Sequence, residues 1–113
     1  MRKMKISFDW DSTLAEDRQQ RIAEKFIAEG HEVYITTSRC ADGGRHYSND
    51  IIFIVAERLG IPKERVRFSG GGDNNGNKWG YLHDFDMHFD DDQIEIELIE
   101  ENTKCIGILI YDP

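Results

Sequence analysis

Short apolar runs alternate along the chain with longer segments whose hydrophobic residues recur every three or four positions. Met4-Lys5-Ile6-Ser7-Phe8 reads as a strand. Asp17 can cap a helix, with Gln20 three residues on completing a capping box. Ile22, Ala23, Phe26 and Ile27 form its apolar stripe, and Gly30 ends it. Glu32–Thr37 is β-branched and aromatic, which predicts a second strand. Polar, Gly-containing Ser38–His46 is expected to be a loop. Ser48 or Asn49 then opens a helix that is almost continuously apolar from Ile51 to Leu59, which predicts that it is largely buried. Gly60 and Pro62 stop it, and Arg65–Phe68 predicts a short edge strand blunted by its arginines.

The second half continues the alternation. Ser69–Asn77 is a loop, a short helix is expected over Lys78–His83, and Met87–Phe89 is a strand. Gln93–Glu101 fits either period, but Asp92 with Glu95 makes a capping box and decides for helix. Lys104–Tyr111 is the last strand, with a core-like run from Ile106 to Ile110. Strands alternating with helices need right-handed crossovers, which predicts an α/β fold: a three-layer α/β/α, Rossmann-like sheet of five parallel strands.

Composition narrows the class. At 113 residues the chain is one domain, residues 1–113, large enough for a real core. No apolar run approaches the roughly 18–20 residues needed to span a membrane, and no signal-peptide apolar segment follows the basic start, so no membrane partner is expected. Cys40 and Cys105 lack CxxC spacing, which makes a reduced, cytoplasmic protein the expectation. A net charge of −8 argues against non-specific nucleic-acid binding. It does not exclude docking one nucleotide end at a metal.

The candidate chemistry lies in two acidic clusters. Asp9-Trp10-Asp11-Ser12-Thr13 and Asp90-Asp91-Asp92 each follow a strand-like run, and open α/β sheets place their sites outside such strand ends. Neighbouring strands would bring these carboxylates into one crevice, where a cation is needed to neutralise them. Mg²⁺ is the simplest cation for an all-oxygen site. Asp9 is then a candidate nucleophile and Asp11 an acid/base. Thr37 or Ser38 offers a hydroxyl, Lys78 a charge at a helix start, and Asp90 and Asp91 the metal ligands.

These residues carry a family resemblance over essentially the whole length. The chain resembles the small, capless haloacid dehalogenase-like (HAD) phosphatases. Asp9-Trp10-Asp11-Ser12-Thr13 matches the first motif, Thr37 with Ser38-Arg39 the second, Lys78 the third and Asp90-Asp91 the fourth. Ser12 departs from the common form, which has Gly there. The resemblance implies that Asp9 attacks phosphorus to form an aspartyl-phosphate, while Asp11 protonates the leaving oxygen and later activates water. It implies that Thr37 and Lys78 compensate phosphoryl charge. Mg²⁺ would be held by Asp9, the Asp11 backbone carbonyl and Asp90, with Asp91 completing the shell or orienting its neighbours. Crowding should raise one carboxyl pKa, which would suit a proton-carrying Asp11. Arg39 reads as a substrate contact or a solvated charge, Asp92 as an N-cap.

No segment is long enough for a cap: Leu14–Arg18 and Ser69–Asn77 are both short. A capless site implies a phosphorylated substrate that brings its own bulk, with a nucleotide or polynucleotide end first. A phosphoprotein or small metabolite stands behind it, and a homo-oligomer supplying a lid is the other way to cover the site. Arg39, Arg45 and Trp10 are the expected rim. A catalytically silent metal- or phosphate-binding module is the alternative function. A receiver-like phosphoacceptor has its acidic pair and Lys in a different order. Gly70–Gly76 lacks the Lys-Ser/Thr ending of a Walker loop. Asp84–Glu95 imitates an EF-hand, but Phe89 stands where Gly is required. His83 and His88 read as helix-end and strand-packing residues, His31 and His46 as a turn and a loop residue.

Overall fold

The computed structural model describes residues 2–44, 47–70 and 77–111. Strands β1 (Lys5–Phe8), β2 (Glu32–Cys40), β3 (Val66–Gly70), β4 (Met87–Asp90) and β5 (Ile106–Leu109) form one sheet in the order β3-β2-β1-β4-β5. Every pairing is parallel, with Phe8 opposite both Ile35 of β2 and Phe89 of β4. The fold is therefore α/β with a Rossmann-like five-stranded parallel sheet. The chain runs outward from β1 through β2 to β3, then returns to the other side of β1 for β4 and β5. That reversal puts the topological switch point between β1 and β4, where such sheets leave a crevice.

Helices α1 (Asp17–Ala28) and α2 (Asp50–Leu59) pack on one face, and α3 (Gln93–Asn102) on the other. The first face is apolar: Ile6, Phe8, Val33, Ile35 and Phe89 meet Ala23, Ile52 and Val55 in the main core. Phe8 and Phe89 stack with centroids 4.6 Å apart, tying the two central strands together. Alternation sends Ser7, Thr36, His88 and Asp90 to the opposite face, all of them buried. A smaller cluster of Leu82, Phe85, Ile99 and Cys105 fills that side. Both cysteines are free thiols, and burial pushes Cys105 up to about 12.

Several boundaries differ from the sequence expectation. The helix after β1 has Asp17 inside its first turn, and Gln20 donates to the Leu14 carbonyl at 2.9 Å instead of closing a capping box. β2 continues through Ser38, Arg39 and Cys40, which were expected in a loop, because β3 keeps pairing with it as far as Cys40 opposite Gly70. A Cβ at Gly70 would lie 2.4 Å from the Ser38 carbonyl oxygen, so only glycine admits this approach. α2 is less buried than its composition suggests: Ile51 and Ile54 are 49% and 61% exposed, since only one stripe faces the sheet. Lys78–Tyr81 is a single 3-10 turn rather than a helix to His83. β5 is an edge strand with Ile106 57% exposed, not a core strand. Asp92 does cap α3, accepting from the N–H groups of Ile94 (2.9 Å) and Glu95 (3.4 Å). Among the described residues no helix is long and apolar enough to cross a membrane.

Candidate metal and phosphate site

Asp9 follows β1 directly, and its N–H donates to the Phe89 carbonyl at 2.9 Å, so the β1–β4 ladder carries it to the edge beside Asp90. The chain then turns sharply. Leu14 N–H bonds to the Asp9 carbonyl and Ala15 N–H to that of Trp10, both at 3.0 Å, closing rings wider than those of an α-helix. Ser12 sits inside this turn at φ 60°, the left-handed region that favours glycine. Thr13 Oγ1 lies 3.3 Å from Asp9 Oδ2 and steadies the carboxylate.

Lys78 joins the two acidic clusters. Its Nζ lies 2.8 Å from Asp9 Oδ1 and 2.7 Å from Asp90 Oδ2, and all three side chains are buried. Burial alone would lower the Lys78 pKa, but the two carboxylates outweigh it and hold the ammonium above its ordinary value. The helix-start dipole expected for Lys78 is absent, because one 3-10 turn is too short to supply it. Charge alone makes this contact.

Asp9 and Asp90 share Lys78 yet titrate apart. Burial would raise Asp90, but His88 Nε2 at 2.8 Å and Lys78 pull it down to about 2. The Asp92 N–H, 3.1 Å from Asp90 Oδ1, adds a further donor. Asp9 has fewer donors, so burial and the charges of Asp90 and Asp91 prevail over Lys78 and push it up to about 7. The carboxyl that burial and crowding raise is thus Asp9.

One oxygen each from Asp9, Asp90 and Asp91 lie within 4.8 Å of one another. These are hard donors at strand ends, and Asp91 is exposed while its two partners are buried. The set fits a small oxygen-loving cation such as Mg²⁺, which keeps several waters. Lys78 takes only one oxygen from each of Asp9 and Asp90. The Asp11 carbonyl is carried by the turn that leaves Asp9.

The remaining expected residues lie around this centre. Asp11 is turned outward, with a side chain 56% exposed, and its carboxylate is gripped by Arg39 through Nη2 (2.7 Å) and Nε (2.9 Å). That contact lifts the Arg39 pKa further. The Arg39 guanidinium lies 4.4 Å over the Tyr47 ring and donates to the Ser48 carbonyl at 3.1 Å. Thr37 is fully buried, and its Oγ1 accepts from the Arg39 N–H at 3.2 Å. It serves the bend of its own strand and keeps its proton to donate. Ser38 is exposed. Trp10, expected at the rim, is 3% exposed and belongs to the main core. Arg45, His46 and most of Gly70–Gly76 lie outside the described residues. No family model matches the chain, and neither does any curated protein sequence.

Sequence reasoning missed His88 as anything but packing. His88 is fully buried between Asp90 and Ser7, with Nδ1 2.9 Å from Ser7 Oγ. Glu95, expected to close a capping box with Asp92, does not receive the Asp92 N–H, which donates to Asp90 Oδ1. Burial raises the Glu95 pKa, Asp90 and Asp92 add to that, and Lys78 opposes it. The usable signal was alternation: Ser7 and His88 are polar residues flanked by apolar residues in central strands.

Proposed function

We propose that this protein is a capless, Mg²⁺-dependent phosphomonoester hydrolase of the HAD type. The observation that carries the reading is the Asp9–Lys78–Asp90 cluster at the switch point, with Asp91 beside it. A buried lysine between two carboxylates, next to a third, is suited to receiving a phosphoryl group. Bound Mg²⁺ would supply Lewis-acid charge to the phosphoryl oxygens and lower the pKa of Asp9.

In this reading Asp9 attacks phosphorus, breaking the bond to the leaving oxygen and forming an aspartyl-phosphate. Asp90, held ionised at about 2, keeps Lys78 charged in its place. Lys78 and the Thr37 hydroxyl would donate to the phosphoryl oxygens. Asp11 would give its proton to the leaving oxygen and then take one from the attacking water, which returns Asp9 as a carboxylate. That role requires Asp11 to leave Arg39 and take up a proton from water before the leaving oxygen departs, and its 56% exposed carboxylate is open to solvent for that exchange. Arg39 is then free for an anionic part of the substrate. A nucleotide or polynucleotide end is the first substrate class, ahead of a phosphoprotein or a small metabolite. The segment from Leu14 to Arg18 leads straight into α1, which agrees with an uncapped site at that point.

One observation favours a second reading. With Asp11 clamped by Arg39, the same geometry describes a metal- or phosphate-binding module without turnover. Hydrolysis of a phosphomonoester by purified protein, with and without Mg²⁺, separates the two. Turnover lost by about 10⁴-fold or more in Asp9→Asn supports the covalent mechanism. Full activity in that variant would remove it.

A further inference from the structure

A cleft of about 540 Å³ opens between the start of α1 and the end of β5. Ser12, Arg18, Gln19 and Arg21 line one side of it, and Ile110 and Tyr111 the other. The first side follows β1 and the second follows β5, with β4 between those two strands in the sheet. Both pairings of β4 are parallel, so the cleft opens at the carboxyl edge that also carries Asp9 and Asp90. Open α/β sheets take their ligands at that edge.

The polar groups of this cleft are unspent. Seven arginines lie among the described residues, and five of them are engaged: Arg2 with Asp86, Arg39 with Asp11, Arg58 with Gln20, Arg65 with Glu32 and Arg67 with the Tyr81 carbonyl. Arg18 and Arg21 are the other two, and among the described residues neither has a hydrogen-bond or ion-pair partner. Both are exposed and sit one helical turn apart on α1, so they project from the same side of the helix. Glu16 and Asp17 also line the cleft, yet neither pairs with them. Gln19 is 9% exposed, and its Oε1 has no hydrogen-bond partner among the described residues. A terminal amide torsion is soft, so a ligand can claim that oxygen at little cost. Tyr111, 81% exposed, offers its ring to the same space.

A ligand that uses all of these groups carries an anion for the two guanidiniums, a flat face for the tyrosine and an N–H for the glutamine. A nucleotide unit has the three together. An acidic peptide would satisfy the arginines and leave Tyr111 and Gln19 idle. We propose that this cleft binds the nucleotide unit next to a phosphorylated nucleic-acid end, with its phosphodiester on Arg18 and Arg21, its base stacked on Tyr111 and a base N–H donated to Gln19. The placement next to a phosphorylated end rests on the phosphatase reading given above. The affinity of the cleft for a nucleotide unit does not. Two arginines and one ring make a subsite for a single unit rather than a track for a long strand, which agrees with a net charge of −8.

The test uses the full chain and the dinucleoside monophosphate d(ApA), which has one phosphodiester and no terminal phosphate to hydrolyse. In ¹H–¹⁵N NMR titrations at matched salt, the backbone signals of Arg18, Gln19, Arg21 and Tyr111 should move together. The double variant Arg18→Ala/Arg21→Ala should bind about tenfold more weakly, and Tyr111→Ala about fivefold more weakly. Tyr111→Phe keeps the ring and should stay within about twofold of wild type. A methylphosphonate analogue of d(ApA), whose linkage is neutral, should bind wild type as weakly as d(ApA) binds the double arginine variant. All three side chains are exposed, so the variants should fold, and thermal melts confirm it. The absence of shifts in the cleft at millimolar d(ApA) overturns the proposal, as does equal affinity of wild type and the variants. A peptide of matched negative charge that binds the same residues as tightly also overturns it and makes the cleft a peptide site. Protein that hydrolyses a small phosphate ester but does not bind d(ApA) keeps the phosphatase reading and loses this subsite. Protein that binds d(ApA) in the cleft but hydrolyses no phosphomonoester loses the phosphatase reading and keeps the nucleotide cleft.

Discussion

Arg39 grips Asp11 with two branches of its guanidinium, Nη2 at 2.7 Å from one carboxylate oxygen and Nε at 2.9 Å from the other. The pair is bidentate but half in solvent, with Asp11 56% exposed and Arg39 15%. Arg39 is the better anchored partner, through Tyr47 and the Ser48 carbonyl. Asp11 is therefore the one to move when an anion competes for the fork. Arg39→Ala should raise KM for a polyanionic substrate by about 10–100-fold, the loss of one charged hydrogen-bonding group. Arg39→Lys should not restore it, because an ammonium cannot reproduce a stacked, bidentate fork. Steady-state kinetics on both variants checks this. A KM unchanged in Arg39→Ala assigns the arginine to Asp11 alone.

Asp9 titrates at about 7 in the folded, metal-free protein, against 3.8 as its reference value. Between those values the native state holds a proton that the unfolded chain has lost. Its contribution to stability is fully present below about 4 and is lost as pH rises to about 7. His88 has the opposite slope, because its lowered pKa makes the unfolded chain the better proton binder near 6.5. The clean measurement is therefore the difference between wild type and Asp9→Asn. In chelator, wild type should lose stability relative to Asp9→Asn between pH 4.5 and pH 7.5. Denaturant unfolding at several pH values measures it. Parallel curves would mean that Asp9 is already ionised in the folded state.

Mg²⁺ should stabilise the fold, because a ligand bound only by the native state adds about 2.7 kcal/mol at a hundredfold excess over Kd. For a chain of this size that is on the order of 10 °C in Tm. Asp91→Ala is the informative variant, since Asp91 is exposed and holds no buried partner in place. It should keep the metal-free Tm and lose most of the Mg²⁺ response. Asp90→Ala should instead be destabilised without metal by about 3–5 kcal/mol, because Lys78 and His88 lose the acceptor they share. Removing a repelling charge does not help there; the structure shows Asp90 held by three donors. Thermal melts with Mg²⁺ and with chelator decide it, and an unchanged Mg²⁺ shift in both variants places the metal elsewhere.

The acidic pairs and the parallel sheet were legible because each leaves a local mark: an apolar run followed by carboxylates, or a strand–helix period. Asp92 as a cap was legible for the same reason. What was not legible depends on contacts distant in sequence. The extension of β2 through Cys40 needs Gly70 of β3 to come within touching distance of Ser38. Arg39 looked like either a ligand or a loop charge because its partner, Asp11, lies 28 positions away. Trp10 looked like a rim residue because nothing local says that the turn after Asp9 folds it inward. His88 and Ser7 are 81 positions apart, and only the β1–β4 pairing puts them together.

The open site sets the last expectation. The described part of the crevice has no lid, and its flanks are surface features: Arg39 stacked on Tyr47 on one side, and a cleft of about 540 Å³ between Ser12, Arg18, Arg21 and Tyr111 on another. Ile110, which lines that cleft, donates its N–H to the Asp90 backbone carbonyl at 2.9 Å. A small phosphate ester would engage only the centre and leave both flanks wet, gaining little beyond its phosphate. A polymer end can lay an adjacent anion on Arg39 and cover the centre with its own bulk. With matched salt, kcat/KM for a phosphorylated oligonucleotide should exceed that for its smallest phosphorylated fragment by about tenfold or more, one charged contact's worth. The gain should shrink as salt rises, since exposed charges are screened. Equal turnover of both substrates by a monomer, established by light scattering, rejects the large-substrate reading. Equal turnover only by an oligomer makes a neighbouring subunit the lid.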